Sequence, residues 1–254
     1  MKKINSLNFE TAFSNNWINY LIKLKENYNQ RNEIERFVEN KAPYRLMQLL
    51  NKYSKENDVF CADIGQNQMW AAQTIQLKRG QKFITSGGLA PMGFSMPAAI
   101  GTSFANPTKT IFAINGDGGF HISTQSLMLI SQYDLPIKVI VINNNALGMI
   151  TQFQHLYFNG RMSGTTIKGG YVVPNIKDIS AAYGLAYYRI KEKDLINEEL
   201  LNKIFASKSC IIEYLTDGMT TVSPKLEYNR PIEMPLPLLP EEEQIANMII
   251  PKIK

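Results

Sequence analysis

Residues that bind metals or form disulfides are scarce in this chain. Its 254 residues include two cysteines and two histidines. Cys61 and Cys210 both lie in apolar, strand-like runs, which indicates reduced thiols and a cytoplasmic protein. His121 and His155 stand apart in the sequence, so neither a histidine metal cluster nor a Ser-His-Asp set can be assigned. We therefore predict no catalytic residue within the chain.

Concentrated charge and long apolar runs are also missing. The formal net charge is +5, and the lysines and arginines are scattered rather than gathered in a stripe with interleaved aromatics, which argues against nucleic-acid binding. No run of 18 apolar residues occurs, so we expect no membrane span. Hydrophobic residues make up 44% of the chain, enough to bury one sizeable core, as in a soluble enzyme domain.

The sequence does contain a regular alternation of strand-like and helical patterns. This alternation predicts an α/β fold, a doubly wound, mostly parallel sheet with helices on both faces. Ligands of such sheets bind at the carboxyl ends of the strands. The predicted strands are Val59–Ile64, Lys82–Thr85, Thr110–Ile114, Ile137–Ile142, Leu185–Arg189 and Cys210–Leu215. The predicted helices are Gln66–Gln76, Phe94–Phe104, Ser123–Tyr133, Ile176–Tyr183 and Ile196–Ala206.

Composition divides the chain into three segments. Residues 1–40 are polar and lack the strand pattern, so we predict a linker and helix there. Residues 41–223 carry the alternation of strands and helices and form the predicted main domain. Residues 224–254 are rich in proline, which predicts an extended C-terminal arm that ends in a short helix, Glu241–Met248.

A glycine-rich turn follows the third predicted strand. The segment Gly116-Asp117-Gly118-Gly119-Phe120 comes directly after the apolar run that ends at Ile114. At such a change from strand to helix, main-chain N–H groups can face an anion. The turn therefore predicts a site for a phosphate or diphosphate group.

A pair of asparagines follows the next strand. Asn143 and Asn144 come about two dozen residues after the glycine turn, at the end of the run Ile137–Ile142. Asp117 and Asn144 would each offer one side-chain oxygen to a hard cation such as Mg²⁺. The alternative is that Asp117 is an ordinary helix N-cap and the asparagines merely form a turn.

The order of these blocks resembles the thiamine diphosphate signature. Residues from about 40 to the C-terminus are similar to the C-terminal, diphosphate-binding domain of the acetolactate synthase large subunit family, so residues 41–223 would be that domain. Three further blocks carry the resemblance: Asp63-Ile64-Gly65-Gln66-Asn67-Gln68-Met69-Trp70, Ser86-Gly87-Gly88-Leu89-Ala90-Pro91-Met92-Gly93 and Leu147-Gly148-Met149.

The resemblance implies roles for individual residues. Asp117, Asn144 and the carbonyl group of Ala146 would bind Mg²⁺, and Ala90 and Met92 would face the aminopyrimidine ring. Asn67 stands where acetolactate synthases usually have histidine, so an acid-base role there is not expected. Phe153 would border the substrate. The implied cofactor-binding residues are Gly65, Gln66, Asn67, Ala90, Met92, Asp117, Gly118, Gly119, Asn144, Ala146, Gly148 and Met149.

The resemblance also implies a reaction and a partner. The cofactors would be thiamine diphosphate and Mg²⁺, the substrate a 2-keto acid such as pyruvate, and the activity that of a transferase or lyase. The family's catalytic glutamate lies on a pyrimidine-binding domain of a neighbouring subunit, and most flavin contacts lie on a middle domain. We expect this chain to lack both, so FAD is not expected in it alone.

The chain would then be half of an active site, inactive alone and part of a homo- or hetero-oligomer. An apolar face formed by Met92, Phe94 and Met96 would be left uncovered. The alternative is a truncated, non-catalytic remnant that binds thiamine diphosphate or only folds.

Overall fold

The computed structural model describes residues 15–216 and 220–249. Contacts between residues divide the chain into two compact units. Glu39–Val222 forms the main unit, and the described parts of Met1–Val38 and Ser223–Lys254 form the terminal unit. The three-segment division remains a prediction, and the ends of its first and last segments, 1–14 and 250–254, lie outside the described residues.

A parallel sheet of six strands forms the centre of the main unit. The strand order is β2-β1-β3-β4-β6-β5, so strands lie on both sides of the pair β1 and β3, and β6 lies between β4 and the edge strand β5. This arrangement confirms the predicted doubly wound α/β fold. The strands are β1 Val59–Ala62, β2 Lys82–Ile84, β3 Ile111–Gly116, β4 Ile137–Asn143, β5 Tyr187–Ile190 and β6 Cys210–Leu215.

Helices connect the strands and cover the sheet. The described residues form α1 Asn15–Asn27, α2 Gln30–Phe37, α3 Ala42–Tyr53, α4 Gln66–Thr74, α5 Ser95–Ala105, α6 Asp117–Ile122, α7 Ser126–Gln132, α8 Gly148–Tyr157, α9 Ile176–Ala182, α10 Glu198–Ala206 and α11 Glu241–Asn247. None of these described helices is long and apolar enough to cross a membrane.

Three helices of the main unit were not predicted from the sequence. These are α3, α6 and α8, and the predicted helix Ser123–Tyr133 corresponds to the shorter α7. Helix α6 begins Asp117-Gly118-Gly119, and glycine disfavours a helix interior by about 1 kcal/mol relative to alanine. The helix propensity of these residues therefore does not indicate α6. We attribute its formation to its packing against β3 and β4.

The core lies between the sheet and its helices. Strands β3 and β4 are buried along almost their whole length, as expected for central parallel strands. Both thiols, Cys61 and Cys210, are free and buried, and burial raises the pKa of each to about 11. Met96 is fully buried in this core. The predicted exposure of Met96 on an apolar face is therefore wrong, because α5 turns this side chain toward the sheet.

The terminal unit is held together by polar contacts between its N-terminal part and its last described helix, α11. Arg36 on α2 forms an ion pair with Glu243 on α11. The Tyr28 hydroxyl also donates to Glu243, at 2.6 Å. These contacts lower the pKa of Glu243 to about 2, with Arg36 as the larger cause.

Candidate functional site

A cavity of about 410 Å³ lies at the carboxyl ends of β1, β3 and β4. Every residue predicted to bind the cofactor lines it, so the fold brings all these sequence blocks together. Phe153 is not among the lining residues. It lies on α8 and is 43% exposed, and the centroid of its ring is 4.4 Å from the centroid of the Tyr157 ring. The lining residues are Ile64, Gly65, Gln66, Asn67, Gln68, Met69, Trp70, Ala90, Met92, Gly116, Asp117, Gly118, Gly119, Ile142, Asn144, Ala146, Leu147, Gly148, Met149 and Ile150.

Asp117 is the most polar feature of the cavity wall. It is the first residue of α6 and is 2% exposed. Its Oδ1 accepts a hydrogen bond from the Tyr171 hydroxyl at 2.7 Å. Its Oδ2 is buried and accepts no hydrogen bond from any described residue. The N-cap of α6 is Gly116, and Asp117 makes no side-chain cap bond, so the alternative that Asp117 is a helix cap is wrong.

The protonation of Asp117 is strongly affected by its position. Burial is the main cause that raises its pKa to about 6, and the Tyr171 hydrogen bond and nearby main-chain amides act in the opposite direction. A buried carboxylate with an unpaired oxygen is costly unless a cation or donor reaches it. The unpaired Oδ2 therefore fits a cation bound in the cavity.

The asparagine turn forms another part of the cavity wall. Asn143 accepts from the Asn145 amide at 3.0 Å, and Asn144 Oδ1 accepts from the Ala146 amide at 3.2 Å. Asn145 has a φ of 54°, in the left-handed region that asparagine tolerates better than most residues. The asparagines therefore do form a turn, and this turn brings both Asn144 and Ala146 to the cavity.

Hydrogen bonds to residues of the neighbouring strands hold this turn in place. The Asn143 side chain donates to Glu213 on β6 at 2.7 Å. Glu213 is buried, and its other oxygen accepts from Arg189 at 2.8 Å. The turn is thus supported by a chain of side chains across β4, β6 and β5.

The side chains of Gln66 and Asn67, at the start of α4, form hydrogen bonds with other residues of the protein. Gln66 Nε2 donates to Gln152 Oε1 at 3.0 Å and to the Thr220 carbonyl at 2.7 Å. Its Oε1 accepts from Asn144 at 3.3 Å. Asn67 Nδ2 donates to the carbonyls of Asp63 and Ile114 at 2.9 and 3.3 Å. Both side chains therefore brace the cavity wall.

Gly148 allows this packing at the start of α8. A Cβ on Gly148 would lie 1.9 Å from Gln66 Oε1 and 2.8 Å from Asn144 Nδ2. Such contacts are too short for any real side chain, so the position requires glycine while Gln66 and Asn144 keep their places.

The loop with Ala90 and Met92 forms another wall. Ala90 has a φ of 52°, an uncommon value for a residue with a Cβ, and such strain clusters at ligand-binding sites. Asp63 holds the end of this loop, because its carboxylate accepts from the main-chain amides of Gly93 at 3.0 Å and Phe94 at 3.1 Å.

Sequence reasoning missed several residues that support the site. Asp63, Gln152, Glu213 and Tyr171 were given no role. Asp63 had a usable signal, since it lies at the carboxyl end of the predicted strand Val59–Ile64. Tyr171 had none, because it lies in an irregular loop 54 residues from its partner Asp117.

Neither histidine reaches the cavity lining, and both are exposed. The described part of the chain holds no group of three or more histidine, cysteine, aspartate or glutamate residues that could hold a metal. A cation here would depend on one carboxylate together with amide and main-chain oxygens. This donor set suits Mg²⁺, which prefers six oxygen ligands and keeps some from water or substrate phosphates.

The comparison with protein families decides the family. Residues 63–213 match the model of the thiamine pyrophosphate enzyme, C-terminal TPP binding domain. This chain belongs to that family. The matched range begins at Asp63 and includes the glycine turn, the asparagine turn and Glu213.

Acetolactate synthases are prominent among the relatives of this thiamine pyrophosphate-binding domain. The large subunit from Lactococcus lactis is 32% identical over 230 residues, which cover 89% of this chain and 38% of the relative. A probable large subunit from Methanocaldococcus jannaschii is 33% identical, with coverage of 85% and 33%. Isozyme 2 from Escherichia coli is 36% identical, with coverage of 72% and 33%. These matches confirm the predicted resemblance to this family.

This chain spans well under half the length of these relatives. A solved structure, a thiamine diphosphate-dependent 4-hydroxybenzoylformate decarboxylase from Rhodococcus jostii, matches with a TM-score of 0.59. It is 18% identical, and the match covers 69% of this chain and 32% of that one. At this identity the likeness supports the fold alone.

Proposed function

We propose that this chain binds thiamine diphosphate with Mg²⁺ and forms the diphosphate-binding half of an acetolactate synthase-like active site for 2-keto acids. The observation that carries the proposal is the unpaired, buried Oδ2 of Asp117. Asp117 lines a cavity together with residues from each of the sequence blocks that carry the resemblance, and these blocks fall within the matched range 63–213. A cation would satisfy this oxygen and link the protein to a diphosphate group.

We assign three protein oxygens to the cation. Asp117 would contribute Oδ2, Asn144 its side-chain oxygen and Ala146 its main-chain carbonyl. Diphosphate oxygens and water would complete the coordination that Mg²⁺ prefers. Gly118 and Gly119 also line the cavity, and a Cβ on either would lie 2.8 Å or less from a neighbouring side chain, so the cavity wall packs closely around these glycines.

The remaining lining supports the organic part of the ligand. Met92, Leu147 and Met149 provide apolar surface in the cavity, and methionine adapts its shape to a ring that packs against it. When bound, thiamine diphosphate supplies the electron sink that allows a 2-keto acid to lose carbon dioxide. The chain's own contribution is to hold the diphosphate and to keep water from the apolar wall.

The proton-transfer group has to come from elsewhere. Asp117 is the only acidic or basic side chain among the cavity-lining residues, and its place in the cation site occupies it. We therefore assign the catalytic glutamate to a pyrimidine-binding domain or subunit in a cytoplasmic homo- or hetero-oligomer. FAD is given no site in this chain.

The binding part of the proposal is tested with the purified full chain. Calorimetry should detect thiamine diphosphate binding in the presence of Mg²⁺ and none in the presence of EDTA. Binding that persists in EDTA would contradict the cation site. Absence of binding with Mg²⁺ would reject the proposed cofactor.

The catalytic part of the proposal is tested with pyruvate. The loaded chain alone should release no carbon dioxide at an enzymatic rate, because general acid-base help is worth on the order of 10²–10⁴-fold. Adding a pyrimidine-binding partner should restore turnover, and replacing that partner's glutamate should abolish it. A non-catalytic remnant would bind the cofactor yet stay inactive with any such partner, and turnover by the chain alone would refute the division of the active site.

A further inference from the structure

Tyr171 makes a direct contact with the proposed cation ligand. Its hydroxyl donates to Asp117 Oδ1 at 2.7 Å, and the other carboxylate oxygen, Oδ2, remains unpaired among the described residues. A carboxylate that is held at one oxygen has a fixed orientation, so the second oxygen points in a defined direction. Hydrogen bonds to charged groups are short and strong enough to impose such an orientation.

The loop that carries Tyr171 also contacts the third proposed ligand. Thr166 forms an antiparallel bridge with Ala146, and the Leu147 amide donates to the Thr165 carbonyl at 2.9 Å. The Tyr171 amide in turn donates to the Thr166 carbonyl at 2.9 Å. Residues 165–171, called the 165–171 segment, therefore reach both the asparagine turn and Asp117.

The 165–171 segment is itself anchored to α8. The Thr165 hydroxyl donates to Gln154 at 2.6 Å, and the Thr151 hydroxyl donates to the Thr165 carbonyl at 3.3 Å. Gly169 and Gly170 close a short turn that returns the chain to Tyr171. Tyr171 is thus presented to Asp117 from a hydrogen-bonded support.

From these contacts we infer that Tyr171 is a positioning residue of the cation site: its hydroxyl fixes the Asp117 carboxylate so that Oδ2 faces the cation held by Asn144 and Ala146. The inference rests on the proposed function. Tyr171 is not among the residues that line the cavity, and its hydroxyl lies beside the lining residue Gly118, where an added Cβ would be 3.2 Å from it. The hydroxyl is therefore close enough to the cavity to set the orientation of the Asp117 carboxylate there.

The test replaces one hydroxyl group and keeps the ring. Tyr171→Phe removes the hydrogen bond to Asp117. Tyr188→Phe is the matched control, because Tyr188 is a partly buried tyrosine of the same unit whose hydroxyl pairs with Ser207 at 3.0 Å. Mg²⁺ is titrated by calorimetry into each full chain at saturating thiamine diphosphate. The unfolding temperature of each ligand-free chain is measured alongside.

The dissociation constant for Mg²⁺ should rise about fivefold to tenfold in Tyr171→Phe, the scale of the net contribution of one typical hydrogen bond. It should stay within twofold of wild type in Tyr188→Phe. Bound Mn²⁺ gives a second readout, because its electron paramagnetic resonance spectrum reports ligand geometry. That spectrum should change in Tyr171→Phe and match wild type in the control.

Each other outcome has a definite meaning. An unchanged dissociation constant in Tyr171→Phe would overturn the inference even if the unfolding temperature fell, because Tyr171 would then support only the fold. Tighter binding would overturn it as well, since the hydroxyl would then obstruct the site. Wild-type chain that fails to bind Mg²⁺ and thiamine diphosphate would reject the proposed function and this inference with it. When the wild-type chain binds normally, a change in Tyr171→Phe reports the role of Tyr171 alone.

Discussion

The ends of β1 and β3 carry the same residue type and serve different purposes. Asp63 follows β1 and Asp117 follows β3, and the two strands are direct neighbours in the sheet. Both side chains are buried, with exposures of 0% and 2%. Burial raises the pKa of both. Strand position and burial alone therefore do not distinguish them.

Their hydrogen-bond partners do distinguish them. Both oxygens of Asp63 accept main-chain N–H groups, from Ile64, Gly93 and Phe94. Asp117 has the Tyr171 hydroxyl on Oδ1 and no partner on Oδ2 within the described ranges. A buried carboxylate whose oxygens are all paired stabilises the structure, whereas an unpaired buried oxygen needs an explanation, and a bound ion is one.

The two regions also depend on each other. A Cβ on Gly119 would lie 1.9 Å from Asp63 Oδ2, so α6 can pack on the end of β1 only with glycine there. Asp63 thus sets the position of the helix turn that begins with Asp117. Asp63 and the proposed ligand site at Asp117 therefore pack together at the carboxyl end of the sheet.

Asp117→Asn should separate the roles of the two aspartates most strongly. This change keeps the shape of the side chain and removes the only anionic ligand proposed for the cation. We expect Mg²⁺-dependent affinity for thiamine diphosphate to fall by at least about 100-fold, since loss of supporting residues alone costs 10–100-fold in metal sites. Calorimetry measures the affinity, and circular dichroism should show an intact fold. Unchanged affinity would remove Asp117 from the cation site.

The matched variant is Asp63→Asn. Its amide nitrogen would face main-chain N–H groups that now donate to the carboxylate, so at least one bond is lost at a buried position. We expect the free energy of unfolding to fall by about 1–3 kcal/mol, measured by urea denaturation. Cofactor affinity in the folded variant should change much less than in Asp117→Asn. Loss of affinity without loss of stability would show that the two aspartates do not divide their roles in this way.

The sequence predicted the sheet well because its strands are buried and apolar. Each of the six predicted strands overlaps an observed one, and Cys210–Leu215 matches in full. Helices next to the site were harder. Helix α6 begins with two glycines after Asp117, and α8 begins at Gly148, so both lack the local propensity that reveals a helix.

The site itself was predictable only for residues that lie in motifs. Asp117, Asn144 and Ala146 belong to blocks with a recognisable order, and the structure places them around one cavity. Tyr171 and Glu213 act through contacts with residues 54 and 70 positions away. Such contacts depend on how distant segments pack, and no local pattern encodes them. The predicted role of Phe153 at the substrate remains a prediction.

The two aspartates should also differ in how they make stability depend on pH, in the ligand-free chain with EDTA present. Asp117 has its pKa raised from 3.8 to about 6, so between these values the folded chain holds a proton that the unfolded chain releases. Its contribution to stability is complete below about pH 3.8 and is lost as the pH rises through about 6. We expect the free energy of unfolding of wild type to fall by on the order of 1–3 kcal/mol over this window. Urea denaturation at a series of pH values measures it.

Asp117→Asn should flatten the profile, because asparagine does not titrate. Asp63→Asn should lower the stability at every pH and leave most of the slope between pH 4 and 6, because Asp117 is still present. The residual slope in Asp117→Asn then reports Asp63, whose pKa is also raised by burial but opposed by main-chain hydrogen bonds. An equal slope in Asp117→Asn and wild type would mean that Oδ2 is paired or solvated in solution, and the contrast between the two strand ends would disappear.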